Sequence, residues 1–243
     1  VTYLTKIKRQ NQGSLKNVIL KLSSDELNPI EPKDIDKKSI FFFNYSKQNI
    51  KNLIEKYDLN ASNCQFISPQ HKHEEGTINI NNYLQSIYKN NTNQKIFPLY
   101  QMSNTNIFQN NDNVVRNINN YTDNDMFANG DTGVLKKTSN NCLEIHYSHN
   151  NRVQPISPSE LYEEFGLSYC LTVHKVQGSQ FDNVVLIIND NHHYSWMSHN
   201  AKSLLYTAIS RAKERCFIIG NPKLLSAAQR TTFKKKYSIF MQE

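Results

Sequence analysis

The chain has 243 residues, 38% hydrophobic and 20% charged, enough for one large domain or one domain carrying a small insertion. Its 28 Lys and Arg against 21 Asp and Glu leave a net charge of +7, which points to a polyanionic partner, either nucleic acid or an anionic membrane. No apolar run reaches membrane-spanning length, and the four scattered cysteines (Cys64, Cys142, Cys170, Cys216) suit neither a disulfide framework nor a zinc site. Reduced thiols in an intracellular protein, cytoplasmic or nuclear, with no membrane partner and no bound metal are therefore expected. The start, Val1-Thr2-Tyr3-Leu4-Thr5, lacks the layout of a signal peptide, and its Val suggests an excerpt of a longer protein.

In chain order, Ser14 is placed to cap a helix in which Leu15, Val18, Ile19 and Leu22 recur at helical spacing, and Pro29 and Pro32 break the pattern. Ser39–Phe43 reads as a short buried strand, 50–57 as a helix, and Cys64–Ser68 as a strand stopped by Pro69. Strand, helix and strand at this spacing predict a parallel α/β sheet. One helical stretch around 80–87 follows in a polar region. Between 113 and 156 the texture changes to short β-like segments (114–118, 133–137, 143–147, 152–156) separated by Asn, Asp, Gly and Ser. That rhythm predicts a small antiparallel barrel or meander. The α/β pattern resumes with strands at 169–173, 184–188 and 216–219 and a helix over 200–213. The boundaries expected are 1–112 and 161–243 for an α/β domain, interrupted by a β insertion over 113–160.

Chemistry concentrates in two strings. In Ser168–Phe181 (S-Y-C-L-T-V-H-K-V-Q-G-S-Q-F) an apolar strand runs into a turn bearing Thr172, His174, Lys175, Gln177 and Gly178. Turns at the carboxyl ends of strands line the ligand crevice of open α/β sheets, and hydroxyl, amide, ammonium and backbone N–H groups there suit phosphate oxygens. In Leu204–Gly220 (L-L-Y-T-A-I-S-R-A-K-E-R-C-F-I-I-G) a helix presents Tyr206, Thr207, Ser210 and Arg211 and leads into a strand. A lone arginine on a helix is ordinarily a solvated charge; the surrounding string is what singles out Arg211.

The first string resembles motif V of superfamily-one helicases of the RecD type (T-x-H-K-x-Q-G-S-E-F), with Gln180 where the family has Glu. The second resembles motif VI (L-Y-T-A-x-T-R-A-K). Leu4–Gln10 (L-T-K-I-K-R-Q) resembles the family's L-T-x-I-F-R-Q element. Ser68–Gln85 resembles S-P-x-x-x-G-x-x-G-T-x-x-L-N-x-x-L-Q, with the first glycine missing where His73 and Glu74 stand. Asn129, Gly130, Asp131 and Gly133 match the N-G-D-x-G turn that leads into a small barrel. Together these strings lie in family order along nearly the whole chain.

The resemblance implies a RecA-like parallel sheet flanked by helices, with a small inserted antiparallel β-barrel: the second motor lobe of a RecD-type, UvrD-like DNA helicase. It implies that Arg211 and Arg9 reach the γ-phosphate of ATP, with Gln10, Gly178 and Gln180 also at the nucleotide. Thr172, His174, Lys175, Gln177, Tyr206 and Thr207 would face single-stranded DNA, with 5′ to 3′ movement. No phosphate-cradling loop G-x-x-x-x-G-K-[ST] occurs, so ATP and Mg²⁺ would be held mainly by a preceding N-terminal RecA-like lobe, and this stretch alone should hydrolyse nothing. A nucleic-acid-binding module that keeps the fold without the motor is the other reading, favoured by Gln180.

Overall fold

The computed structural model describes residues 13–23, 38–89, 108–121, 126–140, 142–148, 151–192, 195, 198 and 200–229. Arg9, Gln10, Trp196 and the basic stretch 230–236 lie outside them. In chain order the elements are α1 (Ser14–Ser23), β1 (Ile40–Phe43), α2 (Lys47–Tyr57), β2 (Cys64–Ser68), α3 (Thr77–Tyr88), β3 (Asn113–Arg116), β4 (Asn120–Tyr121) and β5 (Met126–Phe127). There follow β6 (Thr132–Lys137), β7 (Leu143–Tyr147), β8 (Val153–Ile156), α4 (Pro158–Glu164), β9 (Phe165–Leu167) and β10 (Cys170–Thr172). The last are β11 (Phe181–Ile188), a 3₁₀ turn (Asp190–His192), α5 (Ala201–Ile209), β12 (Ala212–Gly220) and α6 (Pro222–Gln229). No helix among the described residues is long and apolar enough to cross a membrane.

The chain divides into two compact units, Val1–Gln70 with Thr172–Glu243, and His71–Leu171. The first contains a parallel sheet in the order β1-β12-β11-β2. β11 and β12 are central, and Val184–Ile188 and Cys216–Ile219 are wholly buried. Strands covered on both faces need unbroken apolar runs, which is what these segments supply. Each buried Ile, Leu or Phe contributes about 1.5–3 kcal/mol relative to exposure. On one side Phe41, Tyr57 and Phe217 form an aromatic cluster with ring centroids 4.8–5.1 Å apart. The crossover β1–α2–β2 runs one way across the sheet and β11–α5–β12 the other. Right-handed connections therefore place α2 and α5 on opposite faces.

The second unit is a five-stranded antiparallel sheet, β8-β7-β6-β3-β9, preceded by α3. The antiparallel pairing expected from the sequence is present, but the end strands β8 and β9 are not paired with each other, so the sheet is not closed into a barrel. Its centre is Arg116, fully buried. Arg116 donates to Tyr147 Oη at 3.2 Å and to Gln154 Oε1 at 2.7 Å, pairs with Glu164, and lies 4.6 Å from the Phe165 ring centroid. In the N-G-D-x-G turn, Gly130 has φ +101° and Asp131 Oδ2 accepts from Ala128 N at 2.8 Å. A Cβ on Gly133 would lie 2.7 Å from the His146 carbonyl oxygen, so β6 and β7 can approach only with glycine there.

Candidate functional site

β10 ends at Thr172, and residues 173–178 form the turn anticipated from the sequence. Val176 N donates to Thr172 O, Gln177 N to His174 O, and Ser179 N to Val176 O, at 3.2–3.3 Å. Val176 is wholly buried and anchors the turn, whereas His174 and Gln177 are exposed. Lys175 is half-buried, and burial pulls its ammonium below the usual lysine range. Gly178 adopts φ +88°, and a Cβ there would meet nothing within 4 Å, so the requirement for glycine is conformational rather than steric.

The sequence pattern puts Arg211 on a helix. The helix ends at Ile209 with Ser210 as its C-cap, and Arg211 stands in the turn before β12. The sequence pattern extends the helix to Lys213 and starts the strand at Cys216, yet β12 already begins at Ala212, which pairs with Phe181. Arg211 is buried, and its guanidinium faces three acceptors: Nε donates to Thr207 O at 3.0 Å, Nη1 to Ser179 O at 3.1 Å and Nη2 to Ser210 Oγ at 3.0 Å. A cation beside the last carbonyls of α5 is favoured by the helix dipole as well. Its carbonyl also accepts from Phe181 N at 2.9 Å, the first rung joining β11 to β12.

One arginine thus fastens two strings of sequence, reaching 32 positions back to Ser179. Gly178, Gln180, Thr207 and Arg211 gather at the start of β11 and β12 beside Ser210, with Ser179 as a partner that spacing alone does not single out. Tyr206 and Thr207 are half-buried on α5. Thr172, His174 and Lys175 occupy the opening part of the turn rather than this cluster. Arg9 and Gln10 lie outside the described residues.

The cluster suits a nucleotide. Gln180 Nε2 is buried with no hydrogen-bond partner, a donor that a sugar hydroxyl or phosphate oxygen would satisfy. A guanidinium nearby supplies the positive charge. No group of three His, Cys, Asp or Glu side chains fit for a metal occurs among the described residues.

Residues 167–219, which include both strings almost completely, match the family model of the UvrD-like helicase C-terminal domain. This stretch, from β9 to β12, is therefore similar to a helicase C-terminal domain of this class. Within the class, the chain is 34% identical over 110 residues to the ATP-dependent RecD2 DNA helicase of Deinococcus radiodurans, a stretch covering 45% of this chain and 14% of that protein. It is 27% identical over 96 residues to the RecBCD enzyme subunit RecD of Buchnera aphidicola subsp. Schizaphis graminum, covering 40% of this chain and 15% of that one. A solved structure of Pif1 helicase from Bacteroides with ADP-AlF3 and ssDNA aligns over 96% of this chain and 53% of its own, at 14% identity and a TM-score of 0.41. The two curated relatives are thus matched over only about a seventh of their length.

Proposed function

We propose that this chain is the second motor lobe of an ATP-dependent DNA helicase of the RecD type. In this reading ATP and Mg²⁺ are held mainly by an N-terminal RecA-like lobe of the same polypeptide. Arg211 carries the proposal: a buried guanidinium held by Ser179, Thr207 and Ser210, beside the unsatisfied amide of Gln180. Such a permanently charged fork, placed against the γ-phosphate, offsets charge that builds during transfer. Arg9 acts as the second arginine, with Gln10 and Gly178 also at the nucleotide. Gln180 donates to the nucleotide through a neutral amide, without the charge assistance of a carboxylate.

The same turn carries the coupling. Thr172, His174, Lys175 and Gln177 contact the single strand, with Tyr206 and Thr207 on α5 alongside. Closure of the cleft on ATP shifts the turn through Ser179, whose carbonyl Arg211 grips. Movement in the 5′ to 3′ sense follows from the resemblance to RecD-type motors.

Steady-state hydrolysis of ATP by the complete polypeptide, with and without single-stranded DNA, tests this. We expect DNA-stimulated hydrolysis, and loss of about a thousandfold or more in kcat for Arg211→Ala. Arg211→Lys should not restore it, because a point charge cannot reproduce the planar fork. Equal thermal midpoints for the variants and the parent separate chemistry from folding. A complete polypeptide that binds the strand and hydrolyses nothing would instead be a binding module.

A further inference from the structure

At the carboxyl ends of β1, β11 and β12 the first unit carries an open crevice of about 270 Å³, lined by Asn44, Tyr45, Asn189, Gly220, Asn221 and Pro222. Its position follows from the topology. β1 and β12 are neighbours in the sheet but not in sequence. From β1 the chain leaves to α2 on one face; from β12 it leaves to α6, which packs with α5 on the other. Adjacent strands whose connections part to opposite faces leave a gap between their ends, and open α/β sheets bind ligands in such gaps.

The floor is rigid. Gly220 sits at φ +142°, and a Cβ there would lie 1.5 Å from the Ile188 carbonyl oxygen, so no other residue fits. That same oxygen accepts from Asn221 N at 2.8 Å. Asn221 is fixed in turn: its Oδ1 accepts from Lys223 N at 2.9 Å and its Nδ2 donates to Asp190 Oδ1 at 2.8 Å. At the mouth, Asn44 is exposed, and its side-chain amide makes no hydrogen bond among the described residues.

These walls discriminate between ligands. Among the described residues no lysine or arginine lines the crevice, and the Asp190 carboxylate hydrogen-bonds Asn221, which disfavours a phosphate. Amides that both donate and accept, beside an aromatic ring, match the edge and face of a nucleobase. The volume falls just under the usual range for small-molecule pockets, room for one planar ring system rather than an extended ligand. We infer that this crevice holds a single nucleobase, turned out of a single strand bound elsewhere on the same unit, with Asn44 reading its edge and Tyr45 against its face. The strand as its source rests on the function proposed above.

An abasic scan tests it with the complete polypeptide. A short oligonucleotide is made abasic at one position at a time, and its affinity is measured for the parent and for Asn44→Trp, which fills the crevice from an exposed position. One position should weaken binding at least about fivefold in the parent, and that penalty should vanish in Asn44→Trp. Penalties unchanged in the variant at every position would overturn the inference. Saturation-transfer NMR with free nucleosides separates the sources. Base-proton signals lost in Asn44→Trp, from a polypeptide that binds no strand, would keep the nucleobase site and remove the strand. Signals absent from parent and variant alike, together with an uncoupled scan, would remove both.

Discussion

Asn81 closes both ends of its side-chain amide on the backbone of Cys170: Nδ2 donates to Cys170 O at 2.9 Å, and Oδ1 accepts from Cys170 N at 2.7 Å. Both residues are buried and lie 89 positions apart. A strand's ladder normally satisfies such groups; here a helix side chain replaces it, at the first residue of the strand that ends in Thr172. Four residues along α3, Gln85 donates to Asp112 at 2.6 Å, and Tyr169 donates to the other oxygen of the same carboxylate at 2.8 Å. Burial raises the Asp112 carboxyl above its usual range, and these donors pull it back.

Replacing Asn81 by Ala removes both of these bonds to the buried Cys170 backbone, each loss costing about 1–3 kcal/mol. The variant should lose about 2–5 kcal/mol in a urea melt. Asn81→Asp keeps the acceptor but sets a carboxylate oxygen against the Cys170 carbonyl, so it should rescue little. A loss below about 1 kcal/mol for Asn81→Ala would show that the clamp is incidental.

His73 occupies the left-handed region at φ +73°. This is the position where the related pattern has its first glycine, the residue that takes such a φ without steric cost. Its carbonyl accepts from Gly76 N at 3.1 Å and Asn79 Nδ2 at 2.8 Å, bonds that fix the loop entering α3. A non-glycine residue there costs about 1–2 kcal/mol. His73→Gly should therefore stabilise the protein by roughly 0.5–1 kcal/mol once the entropy of glycine is deducted. A destabilised variant would mean that the imidazole itself holds the loop.

Arg116 lies fully buried among Tyr147, Gln154, Glu164 and two aromatic rings. Arg116→Ala strands the Glu164 carboxylate and should cost about 3–5 kcal/mol, measured by thermal or denaturant unfolding. The double change Arg116→Met with Glu164→Gln should recover much of that loss, because it removes both charges and refills the space. Equal losses for the single and double variants would locate the cost in packing.

The segment entering α4 is a capping box. Ser157 Oγ accepts from Glu160 N at 3.2 Å, and Glu160 Oε2 accepts from Ser157 N at 2.7 Å. Those bonds to Ser157 hold the Glu160 carboxyl below its usual range. The stabilisation is therefore present above the ordinary glutamate pKa and is lost as pH falls through the lowered one. Amide protection in α4, relative to the intrinsic exchange rate, should fall in that window for the parent, but Glu160→Gln should show no such step. Ser157→Ala should cost about 1 kcal/mol at neutral pH.

Legibility in the sequence follows the strength of local patterning. The strands at 64–68 and 143–147 can be read with their observed limits, because apolar runs and alternation there agree with burial. Helix α4 escapes the periodicity although Ser157-Pro158-Ser159-Glu160 spells a capping box with Pro at the first turn; its seven residues fall below the length at which periodicity speaks. The start of β12 escapes it because Lys213, Glu214 and Arg215 are charged and not buried there. At the site, the motif strings locate Arg211 and Gln180. No spacing could reveal that Ser179 O and Thr207 O hold the guanidinium, since backbone acceptors carry no mark in sequence.

The split of the first unit around the second bears on how this molecule is made. β1 pairs with β12 across residues 40 and 216, and Asn183 of β11 sits beside Cys64 of β2. A ribosome has released β1, α2 and β2 long before any central strand exists to receive them. The contiguous unit at 71–171 has its strand partners within its own span and can form while synthesis continues. β1 and β2 then wait for their central partners β12 and β11 until residues 181–220 emerge, and assembly of the sheet is set by its longest loop closure. In a cell, the moment of greatest exposure to aggregation and to chaperones falls between the emergence of residue 68 and that of residue 220.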